Sequence, residues 1–433
     1  MRQNLPEVQT RNELIYLLYQ ASELEHSLLC QYLYTAFTIK QPGEDRKLTN
    51  QQQERLHLWG RQIYHVAVQE MLHLCLAANL LTAVGGAPNL RRPNFPQPKE
   101  RYPLGLPSEL APFSLETIER YKKWEEPEFL EPPTTEAPLM PRDLTYKTIG
   151  ELYHIIETAF RRPDAQRWLI GPARAQVTNQ LFPFQPPVIA VTNPEAACRA
   201  VQLIVEEGEG TPPRADGSQQ IDPNSHYGIF SAIVEGLKEE PPGFAPAWAT
   251  VHNPIYHRHY DAVTPEGAHQ AVMVEHPATR AVGELFNALY DLMCQWLMRL
   301  FAHTEESDEQ LRILATSSME LMSMALQPVG IMLTRMPVAV QPVADAEGLY
   351  PTAGPSFEMY SFTQPLPHMG AAWTFFHERI REIADHCQIL CHDEAITRFA
   401  ASQWAFSPVQ RNIPHTLFEV AAVLETMIDR FKR

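Results

Sequence analysis

The segment Glu70-Met71-Leu72-His73 places a carboxylate and an imidazole in the middle of an otherwise apolar helical stripe. The stripe runs Trp59, Ile63, Val66, Glu70, His73, Ala77, Leu80 and Val84. Its steps of three and four residues put every one of these side chains on a single helix face. Burying the two polar groups there is costly unless something compensates them. A metal ion suits a Glu-x-x-His pair, because side chains at i and i+3 reach one point, and in helical bundles holding two metals the pair recurs on facing helices. A four-residue match also arises by chance, so its weight depends on ligands from other helices.

Three further segments supply candidates. Residues 10–39 carry the stripe Leu14, Leu18, Ala21, Glu25, Leu28 and Tyr32, interrupted by Glu25 as the second stripe is by Glu70, with His26 on its edge. A third helical segment ends in Glu206-Glu207-Gly208-Glu209-Gly210. A fourth opens near Ser225 and sets His226, Ile229, Phe230, Ile233 and Leu237 on one face. The set is four carboxylates (Glu25, Glu70 and two of Glu206, Glu207 and Glu209) with two imidazoles (His73, His226). Rich in oxygen and without thiolate, it suits iron or manganese better than structural zinc. Mutual ion pairs that fix the bundle register are the alternative for any one pair; convergence from four helices favours metal.

The runs ELEHSLLCQYLY, EMLHLCLAANLL, IVEEGEG and HYGIF, in this order, resemble the ferritin-like domain of the iminophenyl-pyruvate dimer synthases of the violacein, rebeccamycin and staurosporine pathways, and the later run TAGPSFE recurs in that wider group. The likeness covers roughly residues 8–240 and is looser beyond. It implies an all-α, ferritin-like four-helix bundle around a buried metal centre, with Glu25, Glu70, His73, Glu206, Glu209 and His226 as ligands. Periodicity does not choose between Glu206 and Glu207; the family pattern favours Glu206. The fourth helix of the standard di-iron bundle also carries Glu-x-x-His, but here Pro223 stands three before His226. Glu209 is the expected substitute, its flanking Gly208 and Gly210 allowing a sharp turn. Without Glu209 the site would hold one metal instead of two.

The net charge of -16, from 51 acidic and 35 basic residues, argues against nucleic acid and anionic membrane as partners, since both need a basic face. No apolar run follows a basic start, so no signal peptide is expected, and the run Leu285–Phe301 is too interrupted by polar residues to span a membrane. Six scattered cysteines suit buried thiols in a reducing cytoplasm. Helices are expected at 10–39, 50–84, 147–160, 193–207, 224–238, 277–302, 307–335, 370–399 and 414–432, with short strands near 187–192. A metal-binding region at 1–240 is followed by a helical region at 241–433, packed on the bundle as part of the same domain or forming the interface of a homo-oligomer. The 38 prolines concentrate in the connections 88–141, 183–194, 211–223, 240–254 and 337–367, whose aromatics (Phe95, Tyr102, Trp124, Phe129, Phe182, Phe184, Trp248) suit packed lids or plain surface cover.

Other residues invite functional readings. The histidines 252, 257 and 259 could form a second metal site, but loop histidines near proline more often make surface hydrogen bonds. Cys387 and Cys391 lack a second pair at zinc spacing. His154 reads as a half-buried histidine, and His65 as exposed or supporting. Tyr32, two turns beyond Glu25, is the candidate catalytic tyrosine: near iron it can donate a hydrogen bond to bound oxygen or be oxidised, and otherwise it simply packs.

The functional expectation is a di-iron or mono-iron oxidoreductase using dioxygen or peroxide on a small amino-acid-derived or indolic molecule in natural-product biosynthesis. Iron storage or detoxification without an organic substrate is the alternative, and a metal-free binding or scaffold protein a third. The long extra helices and loops favour a shaped pocket over storage. Haem stays open through the family resemblance, but the chain has no Cys-x-x-Cys-His for covalent attachment.

Overall fold

The computed structural model describes residues 7–97, 106–127, 146, 148–208, 210, 221–257, 264–340, 350–359, 366–402 and 407–432. Two long helices form its axis. α1 (Arg11–Thr38) starts at a capping box in which Thr10 accepts from the Glu13 amide and the Glu13 side chain reaches back; Thr49 and Gln52 do the same for α2 (Asn50–Ala83). The two pack antiparallel, Gly60 lying against Ile39 at one end and Gly86 near Ile15 at the other. α2 is long and apolar enough to cross a membrane, but 89% of its apolar window is buried inside the protein, so it serves here as a core helix.

α5 (Pro194–Gly208) and α6 (His226–Lys238) pack on α2 and complete the four-helix unit. Two shorter helices close it: α4 (Ile149–Phe160) lies on α1 and α5, and α3 (Leu115–Trp124) on α6. The connection 88–141 does not foretell α3, whose Ser114 cap accepts from the Thr117 amide. α7 (Pro277–Ala302) packs against α2. α8 (Asp308–Leu321) runs through a π-helical turn at Met322–Leu326 into α9 (Gln327–Leu333), where one helix was expected. The expected 370–399 helix breaks at Asp393, which caps α11 (Glu394–Ala400) after α10 (Met369–Cys391). α12 (Pro408–Arg411) and α13 (Ile413–Ile428) follow, with α13 along α10.

The fold is all-α. Residues 187–192 form no strand; the ladder among the described residues is a two-residue parallel pairing of β1 (Pro254–Ile255) with β2 (Val272–Met273). The apolar core is continuous from Val8 to Phe431, joining residues of both halves of the chain. Of the loop aromatics, Phe95, Trp124 and Phe182 are buried and Phe184 and Trp248 half-buried; Tyr102 and Phe129 lie outside the described residues.

One buried cation fastens α9 to the end of α1. Arg335 is fully buried, and its guanidinium donates to Glu44 Oε2 at 2.9 Å, to the Ile39 carbonyl at 2.9 Å and to the Phe37 carbonyl. Removing it would leave Glu44 and two carbonyls short of partners. Arg335→Ala is therefore expected to lower unfolding free energy by about 3–5 kcal/mol in urea titration; a change under ~1 kcal/mol would show that water replaces the guanidinium without cost.

Candidate metal centre

Five helices bring acidic and imidazole side chains to one buried point between α1, α2, α5 and α6. Glu25 arrives from the middle of α1, and Glu70 and His73 from α2. His73 Nδ1 lies 3.1 Å from Glu70 Oε2 and 3.6 Å from Glu25 Oε2, and its Nε2 is 3.0 Å from Glu207 Oε2 on α5. His226, the first residue of α6, sets its Nδ1 3.1 Å from Glu70 Oε1 and 3.6 Å from Glu125 Oε1, the residue that ends α3. The two imidazole rings are 5.4 Å apart.

Glu70 therefore turns one oxygen to each histidine. Around it stand two groups, Glu25–Glu70–His73 and Glu70–Glu125–His226, each with donor atoms within 4.8 Å of one another and every member buried. The donors fit a metal. They are oxygen-rich with imidazole and without sulfur. Although His226 is fully buried, its Nδ1 meets Glu70 and Glu125 only as ion-pair contacts outside hydrogen-bond geometry and its Nε2 has no partner, an arrangement that is costly for a buried polar group and natural for a metal ligand. A void of about 10 Å³ lies beside Glu25, Glu70, His73 and Glu125, space for about one water-sized molecule and none for a macrocycle such as haem.

Tyrosines hold two of the carboxylates. Tyr153 of α4 donates to Glu25 Oε1, Tyr32 of α1 donates to Glu125 Oε1 at 2.5 Å, and Gln69 donates to Glu207 at 2.8 Å. Burial, then the charges of Glu125 and Glu70, keep the Tyr32 phenol well above its ordinary pKa, so it remains a donor.

Proton positions follow from the same crowding. Burial and the neighbouring Glu70 push Glu25 up to about 8. For Glu70 burial acts upward, but the charges of His73 and His226 outweigh it and hold the carboxylate low. Burial alone would depress both histidines. Glu70 with Glu207 carries His73 well above its ordinary value instead, and Glu70 with Glu125 carries His226 up to about 9. Without metal, protons on His73, His226 and Glu25 thus offset most of the cluster's negative charge.

Of the residues singled out in the sequence, Glu25, Glu70, His73 and His226 come together. Glu206 does not: it is exposed, and Glu207 faces the cluster in its place, because one step along α5 rotates a side chain by roughly 100°. Glu209 lies outside the described residues. The sequence reading missed Glu125, although it extends the spacing Ile118, Tyr121, Glu125 on α3 as Glu25 extends that of α1. It stands where Pro223 leaves a carboxylate wanting beside His226. Tyr32 sits at the cluster with its hydroxyl engaged by Glu125. His26 turns away from Glu25, its Nδ1 donating to the Leu90 carbonyl at 2.8 Å. His252 stacks on His269 at 3.6 Å instead of on a metal, and His259 lies outside the described residues.

Residues 18–235 match the family model described as Ferritin-like. The chain is 24% identical to a dichlorochromopyrrolate synthase from Lentzea aerocolonigenes over 92% of its own length, and 23% identical to a 2-imino-3-(indol-3-yl)propanoate dimerase from Chromobacterium violaceum over 77%. It spans 41% and 33% of those proteins. A ferritin-like protein from Caulobacter vibrioides of known crystal structure superposes with a TM-score of 0.45 at 22% identity, over 72% of this chain and 95% of that one.

The seat of His226 depends on a glycine. A Cβ at Gly228 would lie 1.9 Å from the Asp222 carbonyl oxygen, so the chain entering α6 can pass its first turn only there. Gly228→Ala is expected to cost about 1–3 kcal/mol of stability and to weaken metal retention; wild-type values for both in thermal melts and metal analysis would contradict this packing.

Proposed function

The chain belongs to the ferritin-like family, and from that premise we propose that it is a metal-dependent oxidoreductase with a two-metal centre, iron by preference, acting on a small amino-acid-derived or indolic molecule. The observation that carries this reading is the pair of three-residue groups sharing Glu70. One position takes Glu25, Glu70 and His73 Nδ1, with Glu207 holding the other ring nitrogen of His73; the other takes Glu70, Glu125 and His226. Four carboxylates balance two divalent cations with both imidazoles neutral, so metal can replace the compensating protons without leaving net charge in the core. The same donors accept manganese. The two relatives named for indole-derived products support the substrate class, while the shorter length of this chain keeps their whole reactions from being carried over.

Iron held by Glu25, Glu70, His73, Glu125 and His226 would supply electrons for the reduction of dioxygen or peroxide. The protein's own contribution is placement. Tyr153 and Tyr32 fix the rotamers of Glu25 and Glu125, which makes Tyr32 a positioning residue. Gln69 steadies Glu207. Leu28, Ile149 and Ile204 wall the small void and limit water beside the carboxylates.

The size of that void favours one second reading, iron oxidation without an organic substrate, since it holds about one water-sized molecule and no organic one. Iron per chain separates the two, because storage loads far above two.

Metal analysis after anaerobic iron reconstitution tests the assignment. Glu70→Ala is expected to lose essentially all iron and activity, Glu125→Ala about half the iron, and Glu206→Ala none. Full iron content in Glu70→Ala would end the proposal. Near pH 7, Glu25, His73 and His226 carry protons when metal is absent, so filling both positions should release about three protons per chain. Uptake accordingly strengthens as pH rises toward 9; calorimetry in buffers of different ionisation enthalpy reads the number, and a release near zero would contradict this protonation pattern.

A further inference from the structure

On the opposite face of the α1–α2 pair from the carboxylates lies a cavity of about 290 Å³. It is walled by α1, α2, α7, the π-helical turn and the loop at Phe182–Phe184. Its lining is mainly leucines, aromatic rings, methionines and cysteines; no Asp, Glu, Lys or Arg is among the lining residues. An engineered apolar cavity of roughly 150 Å³ stays dry and takes up benzene, so one about twice as large suits two or three fused rings. Thioether sulfur and ring edges are the contacts that flat aromatic molecules favour.

Three features beyond its shape mark this cavity as built. The first is Phe357, in the run TAGPSFE, which holds φ at 50°. A bulky residue there costs about 1–3 kcal/mol and persists only where its surroundings enforce it. They do: Arg92 donates to its carbonyl, Glu358 accepts from Asn287 and Ser356, and Asn94 accepts from the Met359 amide. The result presents the Phe357 ring edge-on to Phe286 and Tyr290 at the cavity's inner end. The second is the π-helical turn, a widened geometry common at functional sites, which contributes Met322, Ser323 and Leu326 to the wall.

The third is how polar groups are distributed. At the inner end the polar groups are tied to one another: Arg92 donates to the Tyr290 hydroxyl at 3.0 Å, that hydroxyl pairs with His26 Nε2, and His26 Nδ1 holds the Leu90 carbonyl, while Arg92 Nε alone of these has no partner. No carboxylate, ammonium or guanidinium lines that end of the cavity. On the partly exposed side, the Tyr64 hydroxyl meets Gln327 Oε1 at only 3.5 Å, and Ser323 is exposed. That long contact is easily exchanged for a ligand's polar group.

We propose that this cavity binds a neutral, flat aromatic molecule, with its rings packed against Phe286, Phe357 and Tyr290 and one polar group at the mouth beside Tyr64, Ser323 and Gln327. The site is separate from the metal centre and stands without it.

Titration of the full-length protein with 2-naphthol, followed by calorimetry, tests this, with anionic 2-naphthalenesulfonate as comparison. One saturable naphthol site is expected, at least ~10-fold tighter than the sulfonate. Val68→Trp and Ser323→Trp fill the mouth from opposite walls at partly or fully exposed positions, and each should weaken naphthol at least ~10-fold while keeping the wild-type melting temperature. Glu70→Ala should bind naphthol as the wild type does, even where the metal proposal fails. No saturable binding, unchanged affinity in both folded tryptophan variants, or loss of the naphthol site in folded Glu70→Ala would overturn the proposal.

Discussion

Glu70 is the group on which the interior of this protein turns. A carboxylate with 1% exposure is tolerable in a helical core only if positive charge lies on every side of it. Each of its oxygens faces a different histidine, one on its own helix and one on α6. The placement of α6 follows from that need, and Glu25, Glu125 and Glu207 in turn face the two histidines. The long apolar stripes of α1 and α2 supply the burial; the polar interruption decides which faces may meet.

The helices themselves were largely legible, because apolar residues recur at steps of three and four over long stretches and the caps are explicit, as at Thr10 with Glu13 and Thr49 with Gln52. Legibility failed where local and tertiary signals diverge. α3 is short and polar overall, set in proline-rich sequence, and its apolar spacing covers only three turns, so Glu125 went unread. The neighbours Glu206 and Glu207 are chemically identical, and only the rotation of α5 relative to His73 separates them. The π-helical turn at 322–326 leaves an apolar period that a regular helix would also produce. The two-residue pairing of β1 with β2 carries too few residues for any pattern.

The α1–α2 pair serves two environments at once. Glu25 and Leu28 face the carboxylate cluster, while His26, Leu29 and Cys30 face the apolar cavity; on α2, Glu70 and His73 divide in the same way from Met71 and Leu74. A helix turns its neighbours roughly 100° apart, so adjacent residues report to opposite sides. Arg92, Tyr290 and Glu358 add a polar framework behind the cavity, but no charged side chain lines the cavity itself, while the other side of the helix pair concentrates charge.

Because a single carboxylate belongs to both donor triads, the two seats are not independent. Were two ions to bind, the first would engage Glu70 and so constrain the carboxylate that the second would also use. The second would meet a partner already oriented, with its other oxygen toward the remaining histidine. Occupancy would then acquire an order, written into a side chain and not into any movement of the rods that carry it.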